Sequence, residues 1–296
     1  MPTELRLWVS GARPRTLPAA VAPVLVGSSA AVGQGHGLSA WRAVAALVVS
    51  LAVQVGANYA NDYSDGMRGA DATARRVGPV RLVGQGLAAP AAVKRAAIAS
   101  FAVAALAGLA LAAAAGWWLV LVGLACFAAA WFYTGGRRPY GYAGLGELFV
   151  FVFFGLVATV GSAYVQLERL SGLAVAAAVP VGLLITAILV ANNLRDIPGD
   201  SVADKRTLAV RLGDVRTRRL YTALVGLALA ATLVIALWRP AAVIALAAVA
   251  PARQPVLAVM RGDLGRELIP VLIATGRLVL IYGVLLAAGL TLSGLG

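Results

Sequence analysis

Asn58-Tyr59-Ala60-Asn61-Asp62-Tyr63-Ser64-Asp65-Gly66-Met67-Arg68-Gly69-Ala70-Asp71 closes a long apolar run and carries three of the chain's twelve acidic residues. A second polar patch, Asn192 to Asp204, closes another apolar run more than a hundred residues later. Carboxylates beside membrane-depth helices are costly unless they face protein or a wet cavity. Two such patches therefore imply a common purpose.

The surrounding chain is that of a membrane protein. It has 296 residues, 61% hydrophobic and 12% charged, with a mean hydropathy of +0.87. A soluble domain is about half apolar and a quarter charged. Several apolar runs reach the roughly 17–25 residues that cross a bilayer as a helix, and they lack the alternation of barrel strands. The expected fold is all-α and polytopic, a single membrane-embedded domain over 1–296. Nine spans are expected, near 17–33, 40–60, 93–114, 117–134, 145–166, 172–193, 220–237, 240–258 and 270–293. Pro198 is expected to distort the end of the sixth, and the chain from there to Arg219 reads as a polar loop.

The net charge of +13 does not indicate a nucleic-acid partner. Twenty-one of the 25 Lys and Arg residues fall in the amino-terminal segment and the loops after spans two, four, six and eight, against three in the opposite loops. The positive-inside rule then places the amino terminus and both acidic patches in the cytoplasm of a multi-pass cell-membrane protein. The single cysteine, Cys126, rules out a disulfide framework. The single histidine, His36, sits in a Gly-rich turn and reads as a solvated residue. The first apolar run is long and follows Arg13-Pro14-Arg15, unlike a cleavable signal.

Spacing makes the acids a constellation. Asn58, Asp62 and Asp65 lie at i, i+4 and i+7, and share a face if the helix continues through them. Asn61 and Asp65 form a further i, i+4 pair. Asn193, Asp196 and Asp200 repeat the pattern at i, i+3 and i+7. Two acidic walls on one side of a membrane repel each other unless cations lie between them. Mg²⁺ takes oxygen ligands and binds through one or two carboxylates plus substrate phosphates. Arg75, Arg76 and Arg81 follow the first patch and Lys205, Arg206 and Arg211 the second. The arginine fork suits phosphate oxygens, although each basic residue alone is equally well explained as an inside-loop charge.

These residues resemble the two Asp-rich motifs of the UbiA superfamily of intramembrane aromatic prenyltransferases: Asn61-Asp62-Tyr63-Ser64-Asp65, and Asn193-Leu194-Arg195-Asp196-Ile197-Pro198-Gly199-Asp200. The resemblance extends over essentially the whole chain. It is nearest the menaquinone branch, through Arg13-Pro14-Arg15-Thr16-Leu17-Pro18, Arg76-Val77-Gly78-Pro79-Val80-Arg81, Gly144-Leu145-Gly146-Glu147 and Lys205-Arg206-Thr207-Leu208. It implies nine helices around a central cavity. The activity implied is transfer of a polyprenyl chain from its diphosphate to 1,4-dihydroxy-2-naphthoate, with loss of diphosphate and CO₂.

Carried over residue by residue, the resemblance makes Asp62, Asp65, Asp196 and Asp200 the catalytic acids. Mg²⁺ is the implied cofactor, with Asp65, Asp196 and Asp200 its first ligands and Asn61 and Asn193 beside them. Asn58, Asn61, Arg76, Arg81, Asn193, Lys205 and Arg206 become candidates for substrate binding. Arg137 and Tyr140 lie beside the same mouth, and Arg137 suits either the naphthoate carboxylate or the diphosphate. Phe149, Phe151, Phe153 and Phe154 are candidates for lining a prenyl tunnel, though core packing or lipid contact is the stronger reading for each. The chain departs from the family pattern at Gly69, where another Asp is usual, so Asp71 is expected to substitute from a bent loop. Other aromatic acceptors, such as 4-hydroxybenzoate, stay open. An ion-coupled transporter is disfavoured because the acids lie at span ends. A CDP-alcohol phosphotransferase is disfavoured because its motif fails at Gly69-Ala70.

Overall fold

The computed structural model describes residues 2–35, 37–69 and 80–296, the side chains of residues 2 and 3 excepted. His36, Asp71, Arg75 and Arg76 lie outside these described residues. Among the described residues the main elements are all helices: α1 (Pro2–Ala12), α2 (Pro18–Ala30), α3 (Ala40–Met67), α4 (Pro90–Ala115), α5 (Leu119–Phe132), α6 (Gly146–Leu167), α7 (Gly172–Val202), α8 (Leu208–Ala236), α9 (Pro240–Arg261) and α10 (Gly265–Leu295). Seven of these are long and apolar enough to cross a bilayer, and α2 and α5 are shorter apolar helices at the places of spans one and four. Among the described residues, α2 to α10 thus supply the nine expected apolar segments.

α2, α7, α8, α9 and α10 meet in one apolar core that includes Val26, Leu184, Tyr221, Leu278 and Leu286, all essentially without exposure. Small residues let the backbones approach closely, as membrane helices require in the absence of a hydrophobic drive between them. A Cβ on Gly289 would lie 2.4 Å from the Ala241 carbonyl oxygen, and one on Gly155 2.4 Å from the Gly182 Cα. The outer surface is studded with exposed apolar side chains, Leu106, Leu121 and Leu237 among them, as a lipid-facing surface demands.

Two expectations are corrected here. α7 runs unbroken through Pro198 to Val202, so the second acidic patch stays helical. The segment 208–219 is not a loop. It is the first part of α8, which bends at Gly213 (φ 75°).

A cavity of about 960 Å³ lies between α3, α4, α5, α6 and α7. Ala46 and Asp65, on the same helix, both line it, and α3 rises about 28 Å between them. At the end away from the acids α3 is tied to its neighbours. Arg42 of α3 donates to the Val165 carbonyl (2.8 Å), to Glu168 Oε1 (2.8 Å) and to the Ala114 carbonyl (3.2 Å). α6 contains a π-helical turn, Phe151–Val157. Such a turn shifts the helical phase, and Phe149, Phe153 and Phe154 all line the cavity. Phe151 does not; it packs on Gly182 instead.

Candidate functional site

α3 steps about 100° per residue, so Asn58, Asn61 and Asp65 fall within one narrow arc, and all three line the cavity. Asp62 lies about 60° past Asp65 and turns elsewhere. Its carboxylate accepts the backbone N–H of Leu82 (2.9 Å) and of Val83 (2.9 Å), and it has no exposure. The expectation that Asp62 shares the cavity face with Asn58 and Asp65 is therefore corrected. The i, i+4, i+7 spacing was sound, but the flank of that face belongs to the 80–84 strap.

Asp65 is the centre of the polar end. Tyr142 donates its hydroxyl to Asp65 Oδ1 (2.7 Å), Lys205 Nζ lies 3.4 Å from Oδ2, and Arg81 Nη2 lies 3.6 Å from it. Lys205 also sits 4.6 Å from the centre of the Tyr142 ring, a favourable place for a cation. Burial, and after it the Asp65 carboxylate, hold the Tyr142 phenol far above its ordinary pKa, so Tyr142 remains a donor at neutral pH.

Lys205 reaches this point because the chain turns sharply after α7. Asp204 adopts a left-handed conformation (φ 51°), which Asp tolerates better than most residues. The Lys205 N–H then returns to the Asp200 carbonyl (2.8 Å). The next residue, Arg206, is thrown outward; it is exposed and faces Asp204 at 3.6 Å. Arg206 is thus corrected from the cavity to the surface. Arg137 is corrected likewise: it stands exposed at the tip of the turn between Gly136 and Pro139 and does not line the cavity.

The second wall is α7, where Asn193, Asp196 and Asp200 all line the cavity. Arg195, also lining it, clasps its neighbour: Nε donates to Asp196 Oδ1 (2.8 Å), and Nη2 to Asp196 Oδ2 (2.6 Å) and Asn192 Oδ1 (2.9 Å). Asn193 donates to Glu147 (2.9 Å). Across the cavity, Asn61 accepts from Thr134 (2.9 Å). Asn58 braces the turn before α2, donating to the Ala12 carbonyl (2.9 Å) and Thr16 Oγ1 (3.0 Å). That turn places Arg13, itself left-handed (φ 53°), on the cavity wall. The Tyr140 hydroxyl is committed to the Ala129 carbonyl (2.6 Å), and its ring stacks on Phe149 at 3.9 Å.

Of the candidates read from the sequence, the structure brings Asn58, Asn61, Asp65, Arg81, Tyr140, Asn193, Asp196, Asp200 and Lys205 together on one cavity. Sequence reasoning missed Tyr142, Arg195 and Arg13, which line the same cavity. The available signals were an arginine embedded between Asn193 and Asp196, and one three residues before Thr16.

The oxygen donors suit a hard cation. Three carboxylates, from Asp65, Asp196 and Asp200, face one cavity with Asn61 and Asn193 beside them. Among the described residues no three acids, histidines or cysteines converge at metal-ligand spacing. Walls of this kind would need phosphate oxygens to complete the shell of a Mg²⁺ ion, its usual manner of binding. Beyond the polar end the cavity is apolar, walled by Val49, Leu111, Leu119, Phe127 and Val165. A charged head and a long apolar tail fit it together.

Residues 20–263 match the model of the UbiA prenyltransferase family. The chain is 53% identical over 283 residues to a 1,4-dihydroxy-2-naphthoate octaprenyltransferase of Mycobacterium tuberculosis, covering 96% of each. It is 39% identical over 230 residues to the enzyme of that name in Escherichia coli, covering 75% of this chain and 73% of the relative. The solved structure of a UbiA homolog from Archaeoglobus fulgidus bound to GPP and Mg²⁺ superposes with a TM-score of 0.66 at 14% identity, over 95% of this chain and 99% of that one.

Proposed function

Because the chain belongs to the UbiA prenyltransferase family, we propose that it transfers a polyprenyl chain from its diphosphate to 1,4-dihydroxy-2-naphthoate. Diphosphate and CO₂ leave, and a prenylated naphthoquinol with no carboxylate remains. The observation that carries this reading is the two-ended cavity, with Asp65, Asp196, Asp200, Lys205 and Arg81 at one end and an apolar tunnel behind.

The allylic C–O bond breaks with its electron pair leaving on the diphosphate. Lys205, Arg81 and Arg195 stand where that charge grows, and fixed cations in a low-dielectric site stabilise it without reorganising. Mg²⁺, which the A. fulgidus homolog binds with GPP, would be held by Asp65, Asp196 and Asp200 with Asn61 and Asn193, and when bound supplies further positive charge to the phosphate oxygens. The electron-rich ring carbon bearing the carboxylate attacks the allylic carbon. Its bond to the carboxylate then breaks, and the electron pair returns to the ring as CO₂ departs. Arg13, on the opposite wall, offers a guanidinium to the acceptor carboxylate. Phe149, Phe153 and Phe154 shield the cation from water.

The experiment is product analysis by mass spectrometry. Purified protein receives polyprenyl diphosphate with dihydroxynaphthoate and 4-hydroxybenzoate in competition. The expected product carries the naphthalene ring, the prenyl chain and no carboxylate. A prenylated hydroxybenzoate as the main product overturns the acceptor, and no prenyl product with either overturns the activity.

The tail should occupy the tunnel. Gly123 of α5 and Gly161 of α6 line it, and a Cβ on either meets nothing within 4 Å. Gly123→Phe and Gly161→Phe are therefore expected to fit without distorting the helices while filling the tunnel. Turnover of an octaprenyl donor should fall about 10-fold or more, with a C10 donor nearly unaffected, each lost CH₂ contact removing about 0.8 kcal/mol. Equal loss with both donors would place the tail elsewhere.

The Lys and Arg asymmetry supports a cytoplasmic acidic end. With Cys126 replaced by Ala, Arg137→Cys should resist an impermeant maleimide in intact cells, and Trp238→Cys should react. The reverse pattern inverts the topology.

A further inference from the structure

We propose that Asp62 is a positioning residue, whose carboxylate fixes the 80–84 strap so that Arg81 is delivered onto Asp65 and the diphosphate. The inference rests on the reading of this cavity as the diphosphate site.

Asp62 has no exposure and does not line the cavity, so it cannot meet a substrate from where it stands. Both its oxygens are spent on successive backbone N–H groups, those of Leu82 and Val83, each at 2.9 Å. The first of these amides directly follows Arg81. The lever between the clamp and the guanidinium is therefore one residue long. The strap is also pressed onto its bed by packing. A Cβ on Gly66 would lie 2.5 Å from Val83 Cγ1, and one on Gly11 2.7 Å from Leu82 Cδ1. Leu82 itself is buried against Tyr59 and Ala60.

From this anchored strap the Arg81 side chain, also buried, crosses to the cavity and comes within 3.6 Å of Asp65. Two acids three residues apart on α3 thus hold the same short segment from two sides. Asp62 grips its backbone, and Asp65 meets its guanidinium. Charge-assisted bonds from a carboxylate to paired amides are shorter and stronger than neutral ones. This gives a physical reason for adjacent acids in the motif that needs only Asp65 to meet the substrate.

The test compares Asp62→Asn, Arg81→Gln, the double variant and Asp65→Asn in purified, monodisperse protein. Loss of such a supporting partner typically costs 10–100-fold. Asp62→Asn and Arg81→Gln should each lower kcat/KM for polyprenyl diphosphate by about that factor, and the double variant should be no worse than the more impaired single. The Mg²⁺ concentration for half-maximal rate should hold in Asp62→Asn and rise in Asp65→Asn. Losses that multiply, or a Mg²⁺ requirement raised about 10-fold in Asp62→Asn, would overturn the proposal and make Asp62 a direct ligand.

Should Asp62→Asn fail to fold, amide hydrogen exchange of the wild-type protein decides. The Leu82 and Val83 amides should exchange as slowly as the middle of α3, and fast exchange there refutes the clamp. That measurement needs no turnover, so it stays valid even if the protein forms no prenyl product.

Discussion

Asp65→Asn is expected to lower kcat/KM for polyprenyl diphosphate by about 10²–10³-fold, the cost of removing one preorganised charge partner from a transition state. Asp65 is the point at which three separate parts of the chain converge. It takes the Tyr142 hydroxyl, and Lys205 and Arg81 stand within 3.4 and 3.6 Å. Removing its charge leaves those two cations facing each other near the membrane, a repulsion that weakens the grip of both. The change also removes a carboxylate from the proposed Mg²⁺ site. The isosteric amide keeps one oxygen for Tyr142, so the bundle should survive. Size-exclusion chromatography and thermal melting check the fold, and mass spectrometry of the product checks the rate. Near-normal turnover in a folded Asp65→Asn protein would eliminate the two-walled site.

Asp196→Ala is expected to produce a loss of the same order, by a different route. Arg195 now spends two nitrogens on Asp196 and shares one with Asn192. Truncating Asp196 frees a guanidinium on the cavity wall, so pyrophosphate should still bind, with a gain of at most about 10-fold, equivalent to about 1.4 kcal/mol. Turnover should nevertheless collapse. Combining Asp65→Asn with Asp196→Ala should cost little beyond either alone, because residues that act as a unit lose their effect together. Initial rates at saturating donor, with pyrophosphate inhibition constants for all three proteins, decide this. Fully multiplicative losses would mean that the walls act on separate steps.

Much of this was legible without coordinates. Hydropathy and helical period are local properties, and they locate the nine apolar segments, although α3, α7 and α8 run well beyond the expected spans at their acidic ends. The expectation for Asn193, Asp196 and Asp200 needed only that α7 continue, which it does through Pro198. Two neighbouring-residue assignments failed for one reason. Arg206 and Asp62 each stand beside a residue that faces the cavity, and a single backbone step decides between inside and outside. Local pattern does not say what packs on a flank. The Leu82 and Val83 amides, about twenty residues further along, claim Asp62.

Composition, hydropathy and the spacing of two Asx-rich motifs determined by themselves that this is an all-helical membrane protein with an acidic site at one end of its bundle. Helical geometry and lipid cost operate over a few residues, so a linear string records them. Only the tertiary structure decided that Asp65 is met by Tyr142 and Lys205, that Arg195 clasps Asp196, and that Asp62 holds a strap rather than the cavity. The contacts of Asp65 and Asp62 join segments up to 140 residues apart, and each is settled by which segments pack together and at what rotation.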